Sequence, residues 1–256
     1  MKKQRAAFRL TPSPVRLLCF AAVVLVVAAP IAAAVPTLQL WGPGSEYRTD
    51  LESWFTLENP FELHVIGAVT PEWVSYIDNV TLYLSVPEQY YNTSGSITVQ
   101  GLPSAPPPPP SYDMNGDPLV DEVPSVNYQL GAGGLAPTYG TPAALSPHGV
   151  YPTYYWALDL PTLWVMLAGE TVLDYSPDGG GSDTGDIQRY QISYSDFFWV
   201  HADASGVGHN GGTKSVFAPY SHDADASVPE PATLALLSLG IAGLGYRTVR
   251  RRRRRA

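Results

Sequence analysis

Between Val80 and Val86, apolar and polar side chains alternate without a break. Val80, Leu82, Leu84 and Val86 take one set of positions, and Thr81, Tyr83 and Ser85 take the other. A period of two marks a strand whose two faces meet different surroundings. Phe61, Leu63 and Val65 alternate with Glu62 and His64 in the same way, after a break at Asn59-Pro60. Ile97 and Val99 open a third run beyond the turn Asn92-Thr93-Ser94-Gly95. Farther on, residues 154–160, 163–173, 187–200 and 214–217 are rich in aromatic and β-branched side chains, which suit a pleated surface. The middle of the chain nowhere sustains a helical period. Many short runs between Gly and Pro turns predict an all-β fold, an antiparallel β-sandwich of jelly-roll-like form. Residues 101–150 break the pattern with the run Pro106 to Pro110 and then a crowd of glycines and prolines. They read as a long Pro/Gly-rich loop excursion from one sandwich, because each half alone would hold little core.

The two ends follow a different logic. Lys2, Lys3, Arg5, Arg9 and Arg16 precede an apolar run from Leu17 to Ala29, and Ala32, Ala33 and Ala34 follow it. These features predict a signal helix over residues 1–34, a signal peptide cut after Ala34 with Ala32 and Ala34 as the small residues of the cleavage site. Cys19 is the one cysteine and falls inside that segment, so no disulfide staples residues 35–227. At the other end, Val228-Pro229-Glu230-Pro231 precedes an uncharged stretch over residues 232–246. As a helix this stretch reaches about 22 Å, against the roughly 30 Å of a hydrocarbon layer, and so predicts a short transmembrane helix. Gly240, Gly243 and Gly245 let another helix come close. Arg247, Arg250, Arg251, Arg252, Arg253, Arg254 and Arg255 then form a basic tail over residues 247–256, a stop that stays in the cytoplasm.

Motif, glycine-containing span and arginine cluster, in that order over residues 228–256, resemble the PEP-CTERM signal of bacterial envelope proteins. The resemblance implies recognition by a membrane-embedded exosortase, removal of the tail near the Pro-Glu-Pro motif, and attachment to a surface component. Together with the signal peptide it implies passage through the Sec translocon and transient residence in the inner membrane. Cell surface or extracellular matrix of a Gram-negative bacterium is the expected destination.

Charge sharpens the picture of the body. Residues 37–226 keep only Arg48, Arg189 and Lys214 as cations against 22 Asp and Glu, a net of −19. Such a body repels nucleic acid and anionic lipid, so no nucleic-acid partner is expected. Divalent cations, neutral glycans and extracellular polysaccharide remain compatible with it.

Candidate chemistry is sparse. Asp113, Asn115 and Asp117 place oxygen donors at alternate positions, as a calcium loop does. Position six lacks the glycine and position twelve is Pro124, so the loop is not an EF-hand. Asp178, Asp183 and Asp186 bring three carboxylates to a glycine-rich loop that a hard cation can gather. No cofactor is required by any motif, and Ca²⁺ is the ion these loops suit. His148, His201 and His222 lie near carboxylates or aromatic residues and are candidate ligands or loop-fixing groups. Tyr151, Tyr154, Tyr155 and Trp156 offer rings on which sugars can stack. Asp159 and Glu170 are carboxylates with no spacing that demands hydrolysis. Nucleophile elbow, phosphate loop and dinucleotide fingerprint are all missing. No enzymatic activity is expected.

The stretches SPHGVYPTYY, WVHAD and FAPYSHDA resemble the bodies of choice-of-anchor proteins, type N. That resemblance implies a shared extracellular domain carried on one of several alternative anchors, and it implies no catalytic residues. The expected function is that of an exported, exosortase-sorted surface protein with a structural or matrix role. The alternative is a carbohydrate- or calcium-binding module associated with exopolysaccharide.

Overall fold

The computed structural model describes residues 35–70, 73–103, 111–112, 118–119, 126–145, 150–177, 179–218 and 223–227. The signal peptide, the sorting motif Val228 to Pro231, the apolar stretch and the arginine tail lie outside the described residues. Among the described residues no helix is long and apolar enough to cross a membrane.

Among the described residues sixteen strands follow one another. The first six are β1 (Leu38–Trp41), β2 (Glu46–Arg48), β3 (Ser53–Thr56), β4 (Phe61–Ala68), β5 (Tyr76–Pro87) and β6 (Ser96–Gly101). Next come β7 (Ser111–Tyr112), β8 (Pro118–Leu119), β9 (Asn127–Gly131), β10 (Thr138–Gly140) and β11 (Thr153–Asp159). The last five are β12 (Glu170–Leu173), β13 (Ser182–Ser195), β14 (Trp199–His209), β15 (Thr213–Phe217) and β16 (Ala224–Ser227). One helical turn, Val165–Ala168, sits before β12, and a 3₁₀ turn, Glu88–Tyr90, follows β5.

Two open sheets result. The first runs β1-β4-β13-β6-β9, with β12 also on β13. The second runs β10-β11-β5-β14-β16-β3-β2, with β15 also on β14. Among the described residues, strands β7 and β8 pair only with each other. The fold is all-β as the alternation predicts, and almost every pairing is antiparallel. The exception is β16 on β3, which is parallel, with Ala224 opposite Trp54 and Ala226 opposite Thr56.

Both sheets contribute to one apolar cluster. Leu38, Leu40, Leu63, Val65, Ile97, Val99, Tyr190 and Ile192 come from the first sheet. Leu82, Leu84, Trp156, Leu158, Val200, Ala202, Ala204, Ala224 and Ala226 come from the second. Each set is every second residue of its strand, so the residues between must face away from this core. On the far side of the first sheet a smaller cluster forms from Val35, Ile66, Ala68, Val172 and Ile187.

Two expectations change. Residues 101–150 are not wholly loop: β9 extends one edge of the first sheet through β6, and β10 extends the second through β11. Polar turns hid these strands, because edge strands need bury little apolar surface. The run 163–173 is not continuous strand either. The turn Val165–Ala168 interrupts it and ends at Gly169, whose φ of 65° closes the helix in the left-handed region.

Candidate functional site

Strand β14 places its polar residues on the face turned from the core, and that face is buried too. His201 and Asp203 are each only 2% exposed. Register sets their neighbours. His201 lies opposite Asp225 on β16 and opposite Ser85 on β5, and Asp203 lies opposite Tyr83. Asp223, just ahead of β16, and Ser53 at the start of β3 complete the group, both buried. The turn at residues 49–52, the stretch 87–89 and Val150 to Pro152 wall a cavity of about 890 Å³ above it. His201 and Asp223 form part of that cavity's lining, with Tyr151 and Trp199 beside them. Trp199 stacks on the imidazole, ring centroids 5.4 Å apart.

The hydrogen bonds give the cluster an order. His201 Nδ1 donates to Asp225 Oδ1 at 2.8 Å. A carboxylate oxygen only accepts, so that bond fixes the proton on Nδ1. Ser53 Oγ donates to the second oxygen of Asp225. Nε2 faces the opposite way, 3.2 Å from Asp203 Oδ2 and 3.9 Å from Asp223 Oδ2. The Tyr151 hydroxyl donates to Asp203 Oδ2 at 2.5 Å and lies 2.9 Å from Ser85 Oγ. Asp223 Oδ1 is buried and has no hydrogen-bond partner.

Electrostatics follow from this crowding. Burial alone would lower the His201 pKa; the charges of Asp203 and Asp225, and the bonds to both, hold it well above the ordinary value. Burial and then the charge of Asp203 push the Asp223 carboxyl well up, against the opposing pull of His201. Burial and the Asp203 charge likewise raise the Tyr151 phenol. The group is not a nucleophilic triad. Ser53 bonds the carboxylate rather than Nε2, so no base is in place to take its proton. What the arrangement can do is hold positive charge at a fixed point between three carboxylates.

The other candidates take different places. Asp183 Oδ2 accepts from Thr70 N at 2.6 Å and Thr70 Oγ1 at 2.5 Å, and its Oδ1 accepts from Thr184 N at 2.7 Å. Asp186 Oδ2 accepts from Trp164 N at 2.7 Å. Both carboxylates therefore tie down backbone. Asp178, Asp113, Asn115, Asp117, His148 and His222 lie outside the described residues. Trp156 is core, and its Nε1 donates to Leu135 O at 2.8 Å, so it offers no face to a sugar. Tyr154 stacks on Tyr91 with centroids 3.9 Å apart and lies 5.0 Å from Tyr139. Glu170 accepts from Ile187 N at 2.9 Å and meets Arg189 at 3.5 Å.

Of the three histidines, His201 is thus the one seen within a polar cluster. Sequence reasoning missed Asp203, Asp223 and Asp225 as its companions. The available signal was period two: His201 and Asp203 on one run, Asp223 and Asp225 on another, each interleaved with alanine.

Comparison with known proteins reaches the end of the chain. The family model for the PEP-CTERM protein-sorting motif matches residues 227–254. The motif supports exosortase-dependent sorting of an exported protein that transits the membrane, with the exosortase as processing partner. No curated protein and no solved structure matches the chain.

Proposed function

We propose that the chain is a non-catalytic surface or matrix protein of a Gram-negative envelope, delivered by its two terminal signals. The observation that carries this reading is the sorting motif, which begins at Ser227 where β16 ends. On this account the Sec translocon exports the chain and the signal peptide is removed. The exosortase then cuts near the Pro-Glu-Pro motif, and the body stays at the cell surface or in the matrix. That body is a jelly-roll-like sandwich of the choice-of-anchor kind; two open sheets sharing one apolar core support the sandwich. Nucleic acid is not a partner of so acidic a surface. Expression in strains with and without the exosortase, followed by mass and cell fractionation, tests the proposal. Loss of the tail only where the enzyme is present is expected. An identical C-terminus in both strains rejects it.

A second reading, a module that binds neutral glycans of the extracellular polysaccharide, draws on the rings at β10 and β11. Tyr139 is half exposed beside the Tyr154 and Tyr91 stack, a surface on which a sugar ring can lie. In this reading Ca²⁺ bound by the acidic loops assists. A glycan array run with and without chelator tests it, and silence in both conditions removes it.

A further inference from the structure

We infer that His201 Nε2 and the carboxylates of Asp203 and Asp223 bind one divalent transition-metal ion, of which Zn²⁺ is the type, at the floor of the cavity. The inference goes beyond the sorting reading and does not depend on it.

Four observations converge. The three residues offer one ligand atom each, all within 4.8 Å of one another, and all three residues are buried. Such spacing lets three donors close on a single ion. The second observation is orientation. Asp225 accepts the Nδ1 hydrogen bond of His201, which turns Nε2 toward the two remaining carboxylates, so that a metal ion displacing the Nε2 proton meets all three donors. A carboxylate behind a histidine in this way is the usual outer support of a metal-bound imidazole. Ser53 holds Asp225 in turn, and Tyr151 holds Asp203. The third is Asp223 Oδ1, an acceptor in a residue only 2% exposed, lining the cavity with no hydrogen-bond partner. A buried carboxylate oxygen left without a partner is costly unless a cation meets it or the group takes up a proton. The fourth is the charge inventory. Among the described residues, three buried carboxylates face one imidazole, and the guanidinium of Arg48, whose charge reaches Asp225, is clasped by both oxygens of Asp50 at 2.9 and 2.5 Å.

Donor chemistry selects the ion. Imidazole nitrogen with two carboxylates suits Zn²⁺ and its neighbours in the first transition row. Calcium takes six to eight oxygens and has little use for an imidazole. Three protein ligands also leave a coordination position open toward the cavity.

The test uses the tag-free full chain in detergent, stripped with chelator and titrated with Zn²⁺ or Ca²⁺ by calorimetry and thermal unfolding. One equivalent of Zn²⁺ and a raised melting temperature are expected, with no response to Ca²⁺ at this site. Asp223→Asn, nearly unchanged in volume, removes the stoichiometric equivalent. Asp225→Asn weakens binding by about 10- to 100-fold, the usual cost of losing an outer-sphere partner. Failure of the wild-type chain to bind an equivalent overturns the inference, as does undiminished binding by Asp223→Asn. X-ray absorption of the zinc-loaded wild type needs no variant to fold. Multiple scattering from the ring carbons of one imidazole is expected there, and a spectrum without it overturns the assignment.

Discussion

Tyr151 shows how much one side chain can settle. Its hydroxyl bridges Ser85 on β5 and Asp203 on β14, beneath the cavity wall. Tyr151→Phe strips a buried carboxylate of a donor, and a loss of about 1–3 kcal/mol in urea unfolding is expected. Asp183, on β13 in the other sheet, shifts in the opposite sense to Asp223. Burial pushes its pKa up, but bonds from Thr70 and Thr184 outweigh that and hold it below the usual carboxylate range. A lowered folded value means that its contribution is present above about pH 4 and vanishes as pH falls through the folded value. Asp183→Asn should therefore be less stable than wild type near neutrality, with the gap closing under acid. His64 runs the other way in charge but not in direction. Burial depresses its pKa despite Glu62 at 2.6 Å. Below about pH 6.5 the unfolded chain takes up the proton first, so stability falls with acid there. Unfolding curves for His64→Gln should lack that slope below pH 6.5. His201 stood out in the sequence because it ends an apolar run. Its three aspartates did not, since alternation with alanine marks a shared face without telling whether that face is buried.

At the scale of elements, the alternation of apolar and polar positions carried most of the information. Phe61 to Val65 and Val80 to Val86 became β4 and β5 with the faces the pattern assigns. Leu84 is wholly buried between the sheets, and Leu84→Ala should cost about 2–5 kcal/mol in denaturant unfolding, the range for a truncated core leucine. Alternation tells which residues share a face, but not what covers that face. The polar side of β14 reads as solvent-facing, yet the stretches at 49–52, 87–89 and 150–152 close over it. Those segments are distant in sequence, so the cavity was invisible until the sheets were assembled. The parallel pairing of β16 with β3 was hidden for the same reason, since nothing in a four-residue strand records its neighbour's direction. With neighbours on both edges, every amide of β16 has a ladder partner within reach. Ala226→Pro deletes one such bond, and a lowered melting temperature by circular dichroism is expected.

For the molecule as a whole, the C-terminal sorting signal was legible because it acts as linear sequence: charge, apolar length and a proline motif need no fold to be read. The sheets needed only periodicity. The cluster at His201 needed both sheet order and loop closure. One feature ties address to body. Strand β16 ends at Ser227, where the matched sorting motif starts, and it lies between β14 and β3 rather than at a margin. If the body is attached to the envelope through this end, as proposed, tension would enter it along an interior strand. Bonds on both its edges resist together in shear, instead of peeling apart one by one. So moored, the protein would meet drag at the cell surface with the middle of its larger sheet, and the same strand that takes the strain keeps Asp225 seated against His201.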